Sequence, residues 1–206
     1  MSSLILNHQE NIYFVIFILV SSYLIGSISF GLIFSKIFKL GDIRKIGSGN
    51  IGATNVLRTG NKLAAFFTLF FDAAKGGLVI LFSNYIENST ISLFCGLLCF
   101  FGHLFPIFLK FKGGKGVATF FGILLSLNLL FGLIICLIWI VTLILSRFSS
   151  LSALVSSAFS ILLSFYFFDK NEILLIIIIC ILIWLKHYKN IIRLTKGLEP
   201  KIKIKK

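Results

Sequence analysis

Apolar residues gather in long runs along this chain, parted by short polar, glycine-rich and basic segments. Seven runs can be drawn, at about 12–35, 63–82, 90–109, 116–128, 130–146, 150–168 and 172–186. A helix needs roughly 20 apolar residues to cross a hydrocarbon core about 30 Å thick. The first, second, third and sixth runs reach that length, and the seventh falls slightly short. The fourth and fifth form one stretch, Gly116–Ser146, interrupted only by Ser126, Asn128 and Gly132.

Charge decides how often that stretch crosses. Lys110, Lys112 and Lys115 precede it, and Arg147 follows it. One crossing would leave these cations on opposite sides of a membrane. Two crossings gather them on one side, with Arg58, Lys62, Lys189, Arg193 and the tail KIKIKK. Lys170 is then the exposed cation on the other side, and Lys75 lies within the second span near the basic face. Cytoplasmic loops carry an excess of Lys and Arg. The expected architecture is therefore all-α: a polytopic integral membrane protein with seven transmembrane helices, N-terminus outside and C-terminus cytoplasmic. Two crossings of about 13 residues are short, so they are expected to be thinned, kinked or longer than drawn. With no internal repeat and no linker, residues 1–206 form a single membrane-embedded domain. Residues 1–11 are expected as a short external segment and 200–206 as a basic cytoplasmic tail that meets anionic headgroups.

Composition agrees with that class. The chain is 58% hydrophobic and only 13% charged, with a mean hydropathy of +1.03. A soluble domain is about 25% charged. The start MSSLILNHQE lacks the basic region of a cleavable signal peptide. A net charge of +13 fits a positive membrane face, with the lipid bilayer rather than nucleic acid as partner. The four cysteines, Cys95, Cys99, Cys136 and Cys180, sit inside apolar runs without CxxC spacing. They read as packing residues, not as disulfides or zinc ligands. No metal cluster and no cofactor motif are visible, so neither is expected.

Three segments on the basic side carry candidate chemistry. Gly47–Arg58, GSGNIGATNVLR, packs three glycines into six residues. Such backbone can turn several N–H groups onto one anion. Ser48, Asn50, Thr54 and Asn55 add neutral donors, and Arg58 adds a bidentate oxyanion clamp. No Rossmann strand precedes it, which excludes a dinucleotide fold. The second segment joins His103 to Lys112-Gly113-Gly114-Lys115-Gly116. It lacks the Walker A spacing, yet it offers bare glycine amides, two ammonium groups and the start of the next helix. The third runs from Lys186 to Glu199. On one helix, His187, Asn190 and Arg193 would share a face at i, i+3 and i+6. Glu199 is placed either to pair a site cation or to cap the fold. Asp72 and Lys75 form a further i, i+3 pair within the second span, read as structural.

GSISFG near the end of the first span, GSGNIGATNVLR, FFDAAKG, GHLFPIFLKFKGGKGVAT and KNIIRL with Gly197 and Glu199 occur here in order. Together they resemble the bacterial membrane glycerol-3-phosphate acyltransferases that use acyl phosphate, the PlsY family. The resemblance runs from about Gly26 to Glu199. The chain departs from it at Tyr188, where the family usually has arginine. The resemblance implies transfer of an acyl chain from acyl phosphate to the 1-hydroxyl of sn-glycerol 3-phosphate, giving lysophosphatidic acid and phosphate. It implies a site at the cytoplasmic face of the bacterial inner membrane. It implies glycerol 3-phosphate and long-chain acyl phosphate as partners, with a functional link to the enzyme that makes acyl phosphate.

Residue chemistry and resemblance together give the candidate site. Ser48, Arg58, His103, Lys115, His187 and Asn190 are the expected catalytic set. Gly49, Asn50, Gly52, Thr54, Asn55, Lys112, Gly113, Gly114, Gly116 and Arg193 are expected to bind substrate, with Asp72, Lys75 and Glu199 in support. The resemblance implies no covalent intermediate, with a substrate phosphate oxygen taking the hydroxyl proton; His103 or His187 as general base is the alternative. An anion or phosphate-ester transporter is the competing class. It would place its glycines and cations near the bilayer midplane, usually within inverted repeats.

Overall fold

The structure is a computed structural model that describes residues 12–84 and 89–202. The expected external segment at 1–11 and residues 203–206 of the tail lie outside those residues. Among the described residues there are ten α-helices and no strand. Helices α1 (Ile12–Ser27) and α2 (Phe30–Ile37) fill the first apolar run, followed by the short α3 (Ala53–Leu57). Then come α4 (Lys62–Asn84), α5 (Ser89–Leu104), α6 (Val117–Leu127) and α7 (Leu129–Ser146). Helices α8 (Ser149–Phe167), α9 (Lys170–Lys186) and α10 (Tyr188–Thr195) complete the order.

Each apolar run contains a helix, but not all are spans by length. Four helices are long and apolar enough to cross a membrane, or six if each bent pair is one span. The bent pairs are α1 with α2, at 43°, and α9 with α10, at 59°. The stretch Gly116–Ser146 divides at Asn128, whose side chain accepts from Phe131 N at 3.0 Å and caps α7. The two pieces are unequal, at 11 and 18 residues. Helix α7 is long enough alone, whereas α6 rises only about 16 Å. Helix α6 is short because the chain spends Lys110–Gly116 on a folded loop before it begins.

The second expectation to change is the third motif. His187 does not lie on one continuous helix with Asn190 and Arg193. It ends α9 and its carbonyl starts α10, accepting from Asn190 N at 2.8 Å and Ile191 N at 2.9 Å.

Close approach of backbones holds the bundle. A Cβ at Gly26 would overlap the carbonyl of Cys99, and one at Gly102 that of Tyr23, which joins α1 to α5. A Cβ at Gly122 would overlap the Ala73 carbonyl, joining α6 to α4. Small residues serve this way where lipid supplies no hydrophobic drive between helices. Phe100, Phe120, Ile123, Phe131, Ile176 and Ile179 fill the centre. Outward faces stay apolar, as at Leu137, Ile144, Leu162 and Leu185. The connections at 47–58, 105–116, 147–150 and 187–202 meet at one end, tied by hydrogen bonds described below. At the other end Asn84, Ser89, Leu127, Phe168 and Glu172 border a cavity of about 170 Å³.

Replacing Gly122 with Leu should lower the thermal midpoint in detergent by about 5 °C or more, because overpacking costs about 1–3 kcal/mol. Leu145→Ala, at an outward position 81% exposed, should leave it within about 1 °C. Equal midpoints for Gly122→Leu and the parent would refute the packing contact.

Candidate active site

Gly47 and Gly49 have φ of 55° and 70°, which L side chains rarely adopt. The turn they make sets Ser48 against α3. Ser48 N–H donates to Asn55 Oδ1 at 3.1 Å, and the Ser48 hydroxyl lies 3.4 Å from the same oxygen. Asn55 is buried, and its amide donates to Ile43 O at 2.7 Å. Arg58 follows α3; its Nη1 lies 3.4 Å from Asn55 Oδ1, and its Nη2 donates to Pro200 O at 3.2 Å. Thr54 Oγ1 and Ser149 Oγ are 3.1 Å apart, joining the loop to the start of α8. Gly52 precedes α3, beside the Asn50 amide. Asn55 is thus the scaffold of the loop, and Ser48 and Arg58 are the groups it aims.

The second segment folds back on the end of α5. Gly114 N–H donates to His103 O at 3.1 Å, so this amide is spent inside the protein. A Cβ at Gly113 would overlap His103 O, and one at Gly114 would overlap the His103 ring. Gly116, at φ 81°, starts α6. Lys110 and Phe111 are non-glycine residues at φ 51° and 61°. Lys112 is exposed. Lys115 turns the other way, and its Nζ donates to Asn190 Oδ1 at 2.5 Å.

One carboxylate organises what Lys115 reaches. Glu199, 8% exposed, accepts from Asn190 Nδ2 at 2.6 Å, Ser150 Oγ at 2.7 Å and Arg193 Nε at 2.7 Å. Burial pushes its pKa up, but these three donors and the Arg193 charge more than offset that, so the carboxyl lies below its ordinary value. Burial lowers the Arg58 pKa; the Glu199 charge opposes this and Arg193 adds to it. Burial also brings Lys115 down to about 8, with Glu199 opposing and Arg193 and Arg58 adding. His187 is buried beside this group, and its Nδ1 lies 2.8 Å from Ile183 O. A carbonyl only accepts, so Nδ1 carries the proton and Nε2 the lone pair.

Arg58, Lys115, Asn190, Arg193 and Glu199 therefore meet in one cluster, with Ser48 and Thr54 at its edge. His103, Asp72 and Lys75 sit apart, behind the glycine-rich loop. Ser149, Ser150 and Pro200 also join the cluster, and the sequence singled out none of them. Serines beside a helix start are too common to mark a site. Tyr188 is 64% exposed, so the departure from arginine lies outside this hydrogen-bonded core.

A family model described as glycerol-3-phosphate acyltransferase matches residues 16–197. The chain belongs to the glycerol-3-phosphate acyltransferase family. A glycerol-3-phosphate acyltransferase of Jannaschia sp. (strain CCS1) is 49% identical over 181 residues, spanning 88% of this chain and 89% of that protein. One from Nitrosomonas eutropha is 48% identical over 193 residues, spanning 91% and 96%. The crystal structure of PlsY, an integral membrane glycerol 3-phosphate acyltransferase, in its glycerol 3-phosphate form matches with a TM-score of 0.86 and 34% identity. That match covers 92% of this chain and 96% of the other. The lysophosphatidic acid form matches with a TM-score of 0.82 and 32% identity.

In this family member, Glu199→Gln should lower the thermal midpoint at neutral pH by about 5 °C, since hydrogen bonds to a charged group contribute about 1.5–3 kcal/mol each. The sign of the pH dependence follows from the lowered carboxyl pKa. The stability is present above the unfolded carboxylate value and is lost as pH falls through the folded value. The gap between parent and variant should therefore close on acidification. Midpoints measured from pH 7 to pH 4 check this, and a gap that widens would exclude Glu199 as the organising charge.

Proposed function

We propose that this protein transfers an acyl chain from acyl phosphate to the 1-hydroxyl of sn-glycerol 3-phosphate. The products are lysophosphatidic acid and phosphate. The observation that carries this reading is the convergence of Arg58, Lys115 and Arg193, from three separate segments, on one polar cluster. Acyl phosphate is a mixed anhydride with a good leaving group. The demand on the protein is to hold two phosphates close together despite their repulsion, which needs several cations and donors fixed beforehand. It must also set the glycerol hydroxyl against the acyl carbonyl.

In the step itself, the hydroxyl oxygen bonds to the acyl carbon and the bond from that carbon to the phosphate oxygen breaks. The hydroxyl proton ends on the departing phosphate. Arg58, Ser48 and Lys115 bind phosphate oxygens. His187, with its lone pair on Nε2, accepts from the glycerol hydroxyl and orients it. Glu199 and Asn55 hold these groups in place.

The same reading gives seven crossings of the bacterial inner membrane, with the N-terminus outside and the cluster at the cytoplasmic face. Helix α6 then crosses with help from its neighbours and the loop before it. The polar residues meet at one end of the bundle, which favours chemistry at a membrane face over a midplane transport path. An enzyme that makes acyl phosphate would work immediately upstream.

Membranes carrying the protein, given labelled glycerol 3-phosphate and long-chain acyl phosphate, should form lysophosphatidic acid, and acyl-CoA alone should not replace the donor. Formation of product from acyl-CoA only would overturn the choice of donor. Arg58→Ala should reduce the rate about 10²–10³-fold, the usual cost of losing an oxyanion donor. Arg44→Ala should cost less than about 3-fold, because Arg44 is exposed and paired with Asp42 at 2.8 Å. Similar rates for the two variants would remove Arg58 from the site.

Lys115 predicts a pH limb. It is charged below about 8 and neutral above, so kcat/KM for glycerol 3-phosphate should fall as pH rises through that value. Lys115→Arg keeps the charge and should move the limb upward by more than about one unit. A limb at the same pH in both proteins would assign it to another group.

A further inference from the structure

Behind the glycine-rich loop lies a buried cluster that the reaction above does not use. Asp72 and Lys75 lie one turn apart on α4, with Lys75 Nζ 2.8 Å from Asp72 Oδ1. The same Nζ donates to Ile28 O at 2.7 Å and lies 3.0 Å from His103 Nδ1. Ile28 sits at the break between α1 and α2, where a carbonyl loses its helical partner. Asp72 Oδ1 is 3.6 Å from the same ring nitrogen. Asp72, Lys75 and His103 are 2%, 4% and 6% exposed. Ionisable groups at this depth pair with one another and mark function.

The cluster fixes where the His103 proton resides. An ammonium has three donors and no acceptor, so a nitrogen 3.0 Å from it must accept. Nδ1 then carries the lone pair, and a neutral ring carries its proton on Nε2. That edge of the ring faces Gly114, whose missing Cβ leaves the room there. Among the described residues the His103 ring bonds through Nδ1 alone, and Nε2 has no partner. His103 Nε2 is not one of the fully buried atoms left without a partner, so it is open to an oxygen from outside the protein. His187 is the converse case, with its proton on Nδ1 and its lone pair on Nε2.

We propose that the Asp72–Lys75 pair locks His103 as the Nε2–H tautomer, so that His103 donates a hydrogen bond to a substrate phosphate oxygen at the glycine-rich loop and is not a general base. This rests on the acyl-transfer reading. Asp72 and Lys75 are then positioning residues that act through His103. Gly114 is glycine because a Cβ there would overlap the His103 ring at Nε2.

The tautomer can be read without turnover. The chain has three histidines, His8, His103 and His187. Protein labelled with [15N]histidine and reconstituted in lipid nanodiscs gives ring nitrogen signals by NMR, and His8→Gln and His187→Gln variants assign those of His103. The expected result near neutral pH is a protonated Nε2 and an unprotonated Nδ1. In Lys75→Met the Asp72 carboxylate becomes the neighbour of Nδ1, so the proton should move there. A protonated Nδ1 in the parent protein would overturn the proposal.

Kinetics supply the second arm. The amide of His103→Gln reaches about as far as Nε2 and donates, whereas His103→Leu cannot. His103→Leu should lose about 10²-fold in kcat/KM, and His103→Gln should keep at least about a tenth of the parent value. Equal losses in the two variants, as a general base requires, would overturn it. The substrate whose KM rises in His103→Leu, glycerol 3-phosphate or acyl phosphate, is the one whose phosphate takes the hydrogen bond. Failure of the parent protein to transfer acyl chains would overturn the reaction and this role in it. A wrong tautomer in active protein would overturn the assignment alone.

Discussion

Three cations at one end of an apolar bundle repel one another and cost desolvation energy. One carboxylate makes that arrangement tenable. Glu199 binds Arg193 directly, and through Asn190 it holds the group that receives Lys115. Ser150 ties the same oxygen to the start of α8. Three parts of the chain thus take their positions from one side chain. A buried ion pair is poor evidence of stability for its own sake, because its desolvation offsets its attraction. Its use here is to let like charges share a small volume.

Much of this was legible in the order of residues. The apolar runs located the helices, with Asn128 among the three breaks of the fourth and fifth runs, while its role as the cap of α7 came only from the structure. Gly47–Arg58 and Lys112–Gly116 stood out because glycine and cations are costly inside such runs. Other features were hidden for physical reasons. His187, Asn190 and Arg193 are spaced as one helical face whether or not the helix breaks between them, so the 59° bend left no trace in the spacing. Ser150 reads as an ordinary helix-start residue. The glycine pair at Gly113 and Gly114 suggested bare amides, yet Gly114 N–H is already bonded to His103 O. Only the packing of α5 against the loop distinguishes a glycine that frees an amide from one that admits a neighbour.

The loop before α6 also stores strain. Lys110 and Phe111 both sit in the left-handed region, which costs non-glycine residues of order 1–3 kcal/mol each. They persist because the loop is pinned on both sides. Phe111 N–H donates to Pro106 O at 3.0 Å, and Lys186 Nζ donates to Leu104 O at 2.8 Å while lying over the Phe105 ring. Such a loop is rigid before any ligand arrives, and the position of Lys115 is therefore set in advance.

Glu199 follows every helix among the described residues. Arg58, Lys115 and Arg193 are all synthesised before their counter-charge exists. Their neutralisation comes last, when the segment around Glu199 and Pro200 is laid across the finished helices. The order of residues thus sets down the cations first and the carboxylate that gathers them last.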